Sequence, residues 1–496
     1  MFSVGCGCFY GVFCLMNQLD EKWKFETSYL NLPKELYALG TPSEVNDPEL
    51  FIFNAQLANH LNLDFLNQHN QYALSVLSGN YVPSTTSSFA QAYGGHQFGY
   101  FNVLGDGRAT VLGEIKGIDD ERYDIQLKGA GKTPYSRRGD GRATLYSMLR
   151  EYLISEAMAG LGISTTRSLA VVKSDDPVYR EKIHATGVLT RVASSHIRVG
   201  TFELVARMGN PVFLKKLFYY TAERHYPEVL DDDNPILTFL SLVIKNQIHL
   251  VNDWMRVGFI HGVMNTDNMS IAGETIDYGP CAFMNAFYPD TVFSSIDERG
   301  RYAYSNQPKM AKWNLMRLAE TLLSLVHNDA DQAVKLVQPL FDDFDEQFNK
   351  IWKVNHLAKL GIILEQDGDE ELLNELIRWM EIAKPDFTNT FRGLVDPHLH
   401  VDEVFQSPDF QFWKEKWQKR IASVDRYEEL LREKNPSVIP RNHLVEEALI
   451  EASESDNLKP FNELLEKLQR PFEFYKSGIY QSPPLSDLGY QTFCGT

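Results

Sequence analysis

The sequence contains the segment His261-Gly-Val-Met-Asn-Thr-Asp267-Asn268, followed after a short turn by Ile276-Asp277-Tyr-Gly-Pro280. An Asn and an Asp separated by a turn and a strand can offer hard oxygen ligands to one Mg²⁺ that also bridges nucleotide phosphates. The competing interpretation, a pair of polar turns that cap a strand, is the less favoured one. We therefore expect Asn268 and Asp277 to form a cation site.

A duplicated hexapeptide lies upstream: Gly105-Asp-Gly-Arg-Ala-Thr110 recurs identically as Gly139-Asp-Gly-Arg-Ala-Thr144. Its glycines let backbone N–H groups approach a phosphate, and its arginine suits charged oxygens. The second copy opens a predicted helix, whose unpaired N–H groups favour an anion. Asp-Gly is also a common turn, so either copy alone would leave the question open. Two identical copies on either side of Lys128 favour a phosphate site.

Lys128 ends a predicted strand and precedes Gly129-Ala-Gly131, where a lysine can pair with phosphate oxygens. Most lone lysines are solvated surface groups, so this one needs a partner carboxylate. The predicted helix over Ala143–Gly160 supplies Glu151 and Glu156. Helical periodicity favours Glu156, which lies within the apolar stripe, because Glu151 lies off that stripe by about a third of a turn.

Other polar residues carry weaker signals. Arg191 and Arg198 bracket a short segment and could clamp a phosphate, although on spacing alone two unrelated surface arginines are the favoured interpretation. His398-Leu-His400-Val-Asp402 imitates a metal-ligand spacing without further ligands nearby, so we expect a surface loop there. The aromatic residues of Phe410-Gln-Phe-Trp-Lys-Glu-Lys-Trp417 recur at helical spacing, and we assign them to a core.

Composition limits the function classes. The chain has 496 residues, 66 acidic and 48 basic side chains, and a formal net charge of −18. At roughly 100 to 200 residues per domain, two to four folding units are expected. The charge balance argues against a nucleic-acid partner and favours small anionic ligands.

Five cysteines do not make a disulfide framework in so long a chain, so we expect a reducing, cytoplasmic compartment. The apolar opening stretch has no preceding Lys or Arg, unlike a signal peptide. It is also too short to span a bilayer, which needs about 20 apolar residues. Met16 is an alternative start, which would place residues 1–15 outside the native chain.

Four segments together resemble the selenoprotein O family of pseudokinases. They are Tyr93-Gly-Gly-His-Gln-Phe-Gly99, Leu127-Lys-Gly-Ala-Gly-Lys-Thr-Pro-Tyr-Ser136, Arg150-Glu-Tyr-Leu-Ile-Ser-Glu-Ala-Met158 and His261-Gly-Val-Met-Asn-Thr-Asp-Asn-Met269. The resemblance implies an α+β fold with a protein-kinase-like two-lobed core, an N-terminal extension and a mostly helical C-terminal region. Kinase catalytic loops carry an aspartate where this chain has Val263, and valine cannot accept a proton.

The family is understood to transfer AMP from ATP onto Ser, Thr or Tyr hydroxyls of proteins, with the α-phosphorus facing the acceptor. Uridylylation, which uses UTP, has been associated with bacterial members. The resemblance implies that Asp267 is the base, that Glu151 pairs with Lys128, and that Asn268 and Asp277 hold Mg²⁺ or Mn²⁺. It also implies that the nucleotide is held by Gly105, Gly107, Arg108, Lys128, Asp140, Gly141, Arg191, Arg198 and Asp277.

For the domain organisation, we expect an N-terminal extension over 1–97, a kinase-like N-lobe over 98–205 and a C-lobe over 206–345. A helical region over 346–480 and a tail over 481–496 follow. Many family members carry a redox-active residue close to the C-terminus, and Cys494 has that position, although the residues after it differ from a Ser-rich ending. A disulfide between Cys494 and Cys281 is a hypothesis.

Three other functions stay open. The first is a non-catalytic ATP-binding scaffold, which Val263 suggests. The second is a phosphotransferase in which Asp267 substitutes for the missing aspartate. The third, and the poorest, is a metal-dependent hydrolase built on His398 and His400.

Overall fold

The computed structural model describes residues 16–475, 478–487 and 489–493. Residues 1–15 and Cys494, for which an alternative start and a disulfide were predicted, lie outside the described residues. Residues 16–23 are helical and are called α1. The other α-helices are α2 (Ala55–His60), α3 (Gln71–Ser78), α4 (Leu145–Gly160), α5 (Val199–Arg207), α6 (Pro211–His225), α7 (Pro235–Val257), α8 (Gln307–Val326), α9 (Ala330–Asp342), α10 (Phe344–Lys359), α11 (Asp369–Ala383), α12 (Phe387–Arg392), α13 (Pro408–Ile421), α14 (Tyr427–Lys434), α15 (Asn442–Glu454) and α16 (Lys459–Leu468).

The strands lie mostly in the first half of the chain. They are β1 (Tyr37–Leu39), β2 (Glu49–Phe53), β3 (Phe89–Gln97), β4 (Tyr100–Gly105), β5 (Ala109–Lys116), β6 (Arg122–Lys128), β7 (Ala143–Thr144), β8 (Arg167–Tyr179), β9 (Ile183–Ala193), β10 (Phe259–Ile260) and β11 (Ala282–Phe283). The strands predicted over 109–114 and 123–127 correspond to β5 and β6, so both predictions are confirmed.

Nine of these strands form one antiparallel sheet in the order β1-β3-β5-β6-β9-β8-β2, with β4 paired to β3 and β7 paired to β9. β10 and β11 form a separate two-stranded sheet that flanks residues 261–281. The β3–β4 hairpin leads directly into the first Gly-Asp-Gly-Arg copy. The sheet therefore positions both Lys128, at the end of β6, and the first glycine loop.

Helix α4 packs against strands β8 and β9. It begins after Thr144, whose side-chain oxygen accepts a hydrogen bond from the N–H of Ser147, as an N-cap residue does. The helix was predicted from Ala143, but Ala143 and Thr144 instead pair with β9 as strand β7. Met148, Leu149 and other apolar residues of α4 are buried in the main core.

The second half of the chain is mostly helical, and the α+β fold class is confirmed. Helix α7, predicted over 235–259, begins with Pro235 after the N-cap Asn234 and ends before Gly258, which has a φ of 74°. The helical run predicted over 331–359 is divided into α9 and α10, with Asp343 between them.

Three of the four aromatic residues predicted to bury in α13 do so: Phe410, Trp413 and Trp417 lie in the main core. The prediction is wrong for Phe412, which lies on the opposite side of that helix and is exposed. A second core covers the other face of the sheet, where side chains of the N-terminal segment meet strand residues. Its members include Trp23, Leu57, Tyr72, Val76, Leu112, Ile125 and Val172.

Asp20 fastens α1 to this second core. Its buried carboxylate accepts hydrogen bonds from Tyr72 Oη (2.8 Å), Tyr81 Oη (2.7 Å), and the backbone N–H (2.8 Å) and hydroxyl (2.7 Å) of Ser84. Burial alone would raise the pKa of Asp20, but the hydrogen bonds from Ser84, Tyr81 and Tyr72 outweigh it and hold the pKa below its usual value. One carboxylate thus satisfies donors from several segments.

We predict that Asp20→Ala lowers the free energy of unfolding by about 3 kcal/mol, because buried donors lose their acceptor. Since the pKa of Asp20 is lower in the folded chain, its contribution is present above the unfolded pKa of about 4 and is lost as the pH falls below it. The difference in the free energy of unfolding between the unaltered protein and Asp20→Ala should therefore shrink in acid. Chemical denaturation at several pH values measures this difference. Asp64→Ala, at an exposed position, is the control, and an equal loss in both variants would contradict the role of Asp20.

Candidate active site

Lys128 and Glu151 form a buried ion pair. Lys128 is the last residue of β6, Glu151 lies in the middle of α4, and their Nζ and Oε2 atoms are 2.6 Å apart. Both side chains are buried. Of the two glutamates left open by the sequence, the structure therefore brings Glu151 to the lysine, as the family resemblance implies.

Glu156, which helical periodicity favours as the partner of Lys128, forms hydrogen bonds with other residues. Its carboxylate accepts hydrogen bonds from Arg167 (2.7 and 2.8 Å), from the N–H of Ser168 (3.1 Å) and from Asn54 (2.9 Å). Periodicity alone therefore points to the wrong glutamate, because Glu156 lies beside the start of β8 and Glu151 is the partner of Lys128. A buried carboxylate can lie within an apolar stripe when other elements supply its partners.

Arg191 and Asp277 complete a four-residue cluster. Arg191, on β9, donates to Glu151 Oε1 at 2.5 and 2.8 Å and lies 3.2 Å from Asp277 Oδ1. Lys128 also donates to Asp277 Oδ1. Burial would raise the pKa of both carboxyls, but the neighbouring cations outweigh it, so the pKa of Glu151 is lowered and that of Asp277 lies well below its usual value. Both acids are therefore ionised beside two cations.

The two identical hexapeptides face one cleft but use their aspartates differently. Asp106 is buried and accepts hydrogen bonds from Gln126 Nε2 and the N–H of Gln91, both at 3.2 Å. Asp140 is at the rim, where Arg180 donates to it at 2.8 and 3.1 Å. The first hexapeptide is thus attached to the sheet through Asp106, and the second is attached through Asp140 to Arg180, which lies between β8 and β9.

Glycine is required in both loops for steric reasons. A Cβ on Gly105 would lie 2.4 Å from the ring of Tyr135, and one on Gly141 would lie 2.2 Å from the backbone of Gly131. Gly141 also has a φ of 70°, in the left-handed region that favours glycine. The second copy ends at the N-cap Thr144, whose side chain occupies the N–H of Ser147. This N–H at the start of α4 is therefore not available to an anion.

A cleft of about 300 Å³ brings the predicted nucleotide-binding residues together. Sequence reasoning missed Arg180, which no motif marked, and Tyr135, which stands in a quoted segment without an assigned role. Every residue predicted to hold the nucleotide lines the cleft: Gly105, Gly107, Arg108, Lys128, Asp140, Gly141, Arg191, Arg198 and Asp277.

Arg198 is the N-cap residue of α5 and is buried. Its guanidinium lies 4.2 Å from the centre of the Tyr93 ring and 3.6 Å from Asp106 Oδ1. Its Nε is buried and has no hydrogen-bond partner in the structure. A buried donor without an acceptor is costly, so this atom can be satisfied by a ligand oxygen in the cleft.

Asp267 lies in a short 3₁₀ turn, Thr266–Asn268, directly beneath the β3–β4 hairpin. A Cβ on Gly95 of β3 would lie 2.5 Å from Asp267 Oδ1, and that oxygen is buried without a hydrogen-bond partner. Burial raises the pKa of Asp267 to about 6, although Arg198 acts in the opposite direction. A carboxyl with this pKa can accept a proton near neutral pH, and it lies so close to Gly95 that no side chain fits at that position.

Asn268 and Asp277 supply oxygen atoms of the type that Mg²⁺ and Mn²⁺ prefer. Asn268 donates its Nδ2 to the carbonyl of Val263 at 3.1 Å, which leaves its Oδ1 for a cation. In the part of the chain that the structure describes, no group of three or more His, Cys, Asp or Glu residues could hold a metal. Asp277 lines the cleft, whereas Asn268 borders a separate small cavity, and a cation held by both residues would take its other ligands from phosphates and water.

Two further predictions concern residues outside this cleft. His400, predicted in a surface loop, is instead buried: it stacks on Phe405 at 4.2 Å and its Nε2 lies 3.1 Å from the carbonyl of Thr390. That prediction is wrong for His400, because the ring packs in the helical core, whereas His398 is exposed. Cys281 has no disulfide partner among the described residues, which exclude Cys494, so the hypothesis of a bond between the two stays untested; burial raises the pKa of the Cys281 thiol to about 12.

Comparisons with known proteins agree with this geometry. Residues 20–469 match the family model described as protein adenylyltransferase SelO. A protein nucleotidyltransferase YdiU from Pelagibacter ubique is 50% identical over 480 residues, which cover 96% of this chain and 99% of that relative. The protein of the same name from Bacillus mycoides is 49% identical over 488 residues, covering 97% of this chain and 100% of the relative.

A third relative with that name, from Syntrophotalea carbinolica, is 48% identical over 480 residues, covering 96% of this chain and 98% of the relative. Among the described residues, no helix is long and apolar enough to cross a membrane. With a matching model over nearly its whole length and relatives at about half identity, the chain belongs to the SelO family.

Proposed function

We propose that this protein transfers AMP from ATP to Ser, Thr or Tyr hydroxyls of other proteins. The observation that carries the proposal is the cluster of Lys128, Glu151, Arg191 and Asp277 in a cleft lined by two glycine loops. The description of the family and the names of the relatives support it. We also propose that the protein is cytoplasmic and does not act on nucleic acids.

Nucleotidyl transfer needs positioning and charge neutralisation more than covalent participation by the protein. In the proposed arrangement, Lys128 and Arg191 face phosphate oxygens from the back of the cleft. Arg198 donates its free Nε to another oxygen, and the N–H groups of the loops at Gly105–Gly107 and Gly139–Gly141 approach the triphosphate. The resulting pocket holds the triphosphate and excludes water from it.

Asp267 is the proposed base. The acceptor hydroxyl gives its proton to the Asp267 carboxylate, its oxygen bonds to the α-phosphorus, and the bond from that phosphorus to the departing pyrophosphate breaks. Asn268 and Asp277 would hold Mg²⁺ or Mn²⁺, which would supply charge neutralisation at the phosphate oxygens. A buried carboxylate oxygen without a partner beside the cleft favours an enzyme over an ATP-binding scaffold.

The decisive experiment supplies ATP labelled at either the α- or the γ-phosphate and follows the label into protein. We expect label from the α-position only. Incorporation from the γ-position alone would establish a phosphotransferase, which would use the same residues with the nucleotide reversed. Parallel reactions with α-labelled UTP determine whether UMP is also transferred.

We predict that Asp267→Asn lowers the transfer rate by on the order of 10² or more, because the amide cannot accept the proton. ATP binding, measured by calorimetry, should stay within about twofold because the phosphate-binding residues are unchanged. Asp290→Asn, at an exposed position in the same half of the chain, is the control. A variant at Asp267 that keeps the full rate would remove this residue from the mechanism.

Gly95→Ala offers a second test of the position of the base. The new methyl group would lie 2.5 Å from Asp267 Oδ1 and must displace the carboxyl. Because misplacement of a reacting group by about 1 Å can cost on the order of 10²-fold, we expect a large fall in kcat with little change in the KM for ATP. Gly40→Ala, where a Cβ meets no atom within 4 Å, is the matched control. Equal kcat values for the two variants would show that Gly95 does not fix the base.

A further inference from the structure

The β3–β4 hairpin separates Asp267 from a surface that the proposed mechanism does not use. The backbone N–H of His96 donates to Thr266 Oγ1 at 2.6 Å, next to Asp267 in the chain. Glu203 joins the same contact: its carboxylate lies 2.5 Å from His96 Nδ1 and accepts from Thr266 Oγ1 at 2.5 Å. The hairpin is thus attached to the catalytic turn on one side.

On its other side the hairpin contacts aromatic rings in edge-to-face arrangements and guanidinium groups that come from other elements. The ring of His96 lies between Phe101 and Trp313, with ring centres 5.5 and 5.4 Å away. Arg207 lies 4.2 Å from the centre of the Phe101 ring, and Arg301 lies 5.0 Å from that of Trp313. We call Phe101, Arg207, Arg301 and Trp313, with the exposed Tyr100, the hairpin surface.

Among the described residues, the two arginines of this surface have no carboxylate partner, since no carboxylate oxygen lies within 4.0 Å of a nitrogen of Arg207 or Arg301. The acids nearby are occupied: Glu320 pairs with Arg317 at 2.5 Å, and Asp297 accepts from the backbone N–H groups of Arg301 and Tyr302. In a chain with a net charge of −18, these two cations remain available to an anionic ligand.

A guanidinium that packs against an aromatic ring has lost part of its conformational freedom, but the N–H groups at its edge can still donate hydrogen bonds. Such a group can bind a carboxylate with two parallel hydrogen bonds, and the ring contact reduces the entropy lost on binding. Arg207 and Arg301 therefore suit a ligand with carboxylates.

The edge of strand β4 adds apolar contacts and backbone groups. β4 pairs only with β3, so its other edge is free of strands in the described chain. Tyr100 and Val103 on β4 are 79% and 62% exposed. Arg137 donates to the carbonyl of Val103, which shows that this edge accepts hydrogen bonds from outside the sheet. An extended peptide can bind such an edge through its main chain.

We propose that the hairpin surface binds an acidic, extended segment of the acceptor protein and so delivers its hydroxyl group to Asp267. This inference rests on the proposed function, because it assigns the partner of that same site. The occupant is an acceptor segment with Asp or Glu residues near the modified hydroxyl. Arg207 and Arg301 contact that segment and take no part in binding ATP, since neither lines the nucleotide cleft.

The test uses two short fluorescent peptides, each with one serine, flanked in one by glutamates and in the other by glutamines. Their binding to the full-length protein is measured by anisotropy with a non-hydrolysable ATP analogue present. We expect the glutamate peptide to bind about tenfold more tightly, as charge-assisted hydrogen bonds do, and the difference to shrink at high salt. The double variant Arg207→Gln/Arg301→Gln should abolish the difference in affinity between the two peptides. The control variant Lys215→Gln/Lys216→Gln, which removes two exposed charges on α6, should keep that difference.

Equal binding of both peptides by the unaltered protein would overturn the docking proposal, as would a preference that persists in the arginine double variant. Affinity for the ATP analogue should be the same in all proteins, which controls for folding. Transfer of α-label to the peptides is measured in parallel. A peptide preference without any transfer would contradict the proposed function but leave the acidic-segment surface in place, whereas transfer without a preference would remove only the surface.

Discussion

The rest of the site depends on two buried ion pairs, which the Glu151 carboxylate makes with Lys128 and Arg191. A buried carboxylate without partners costs several kcal/mol, so it is stable only where two cations reach it from the sheet. Those cations come from β6 and β9, the carboxylate comes from α4, and Asp277 arrives from the segment after the catalytic turn. One group of charges therefore fixes the strand, helix and loop elements around the cleft. Asp277 has a φ of 71°, a conformation that non-glycine residues adopt only at a cost of about 1 kcal/mol or more and that its contacts with Lys128 and Arg191 help to hold.

Much of this arrangement could be predicted from the sequence, because periodicity marks the helices and strands and motifs mark the charged side chains of the site. The strands around Lys128, the helix that carries Glu151 and the aromatic face of α13 follow from periodicity. The choice between Glu151 and Glu156 does not, because both carboxylates are buried and only the positions of Arg191 and Arg167 on different strands separate them. Likewise, no local signal distinguishes the two identical hexapeptides, yet Asp106 lies beneath the sheet and Asp140 at the rim. These differences depend on contacts between residues far apart in the chain.

The hairpin of β3 and β4 connects the two sides of the proposed reaction. Its inner face carries Gly95, whose missing side chain leaves room for the Asp267 carboxyl, and its other face contacts Arg207 of α5 and Trp313 of α8. The structure places Gly94 and Gly95 inside strand β3 rather than in a turn. Their small size permits the turn Thr266–Asn268 and α5 to approach the sheet closely, since a Cβ on Gly200 would lie 2.0 Å from the carbonyl of Gly94. The proposed base and the proposed acceptor surface therefore lie on the two sides of one hairpin.

A crystal structure with a non-hydrolysable ATP analogue and Mn²⁺, located by its anomalous scattering, tests the proposed site most directly. We expect the triphosphate to lie between the two glycine loops and to contact Lys128, Arg191 and Arg198. We also expect Mn²⁺ at Asn268 and Asp277, and the α-phosphorus as the phosphorus nearest to Asp267. A triphosphate bound away from the Lys128 cluster, or bound there with its γ-phosphorus nearest to Asp267, would rule out the proposed transfer of AMP at this site.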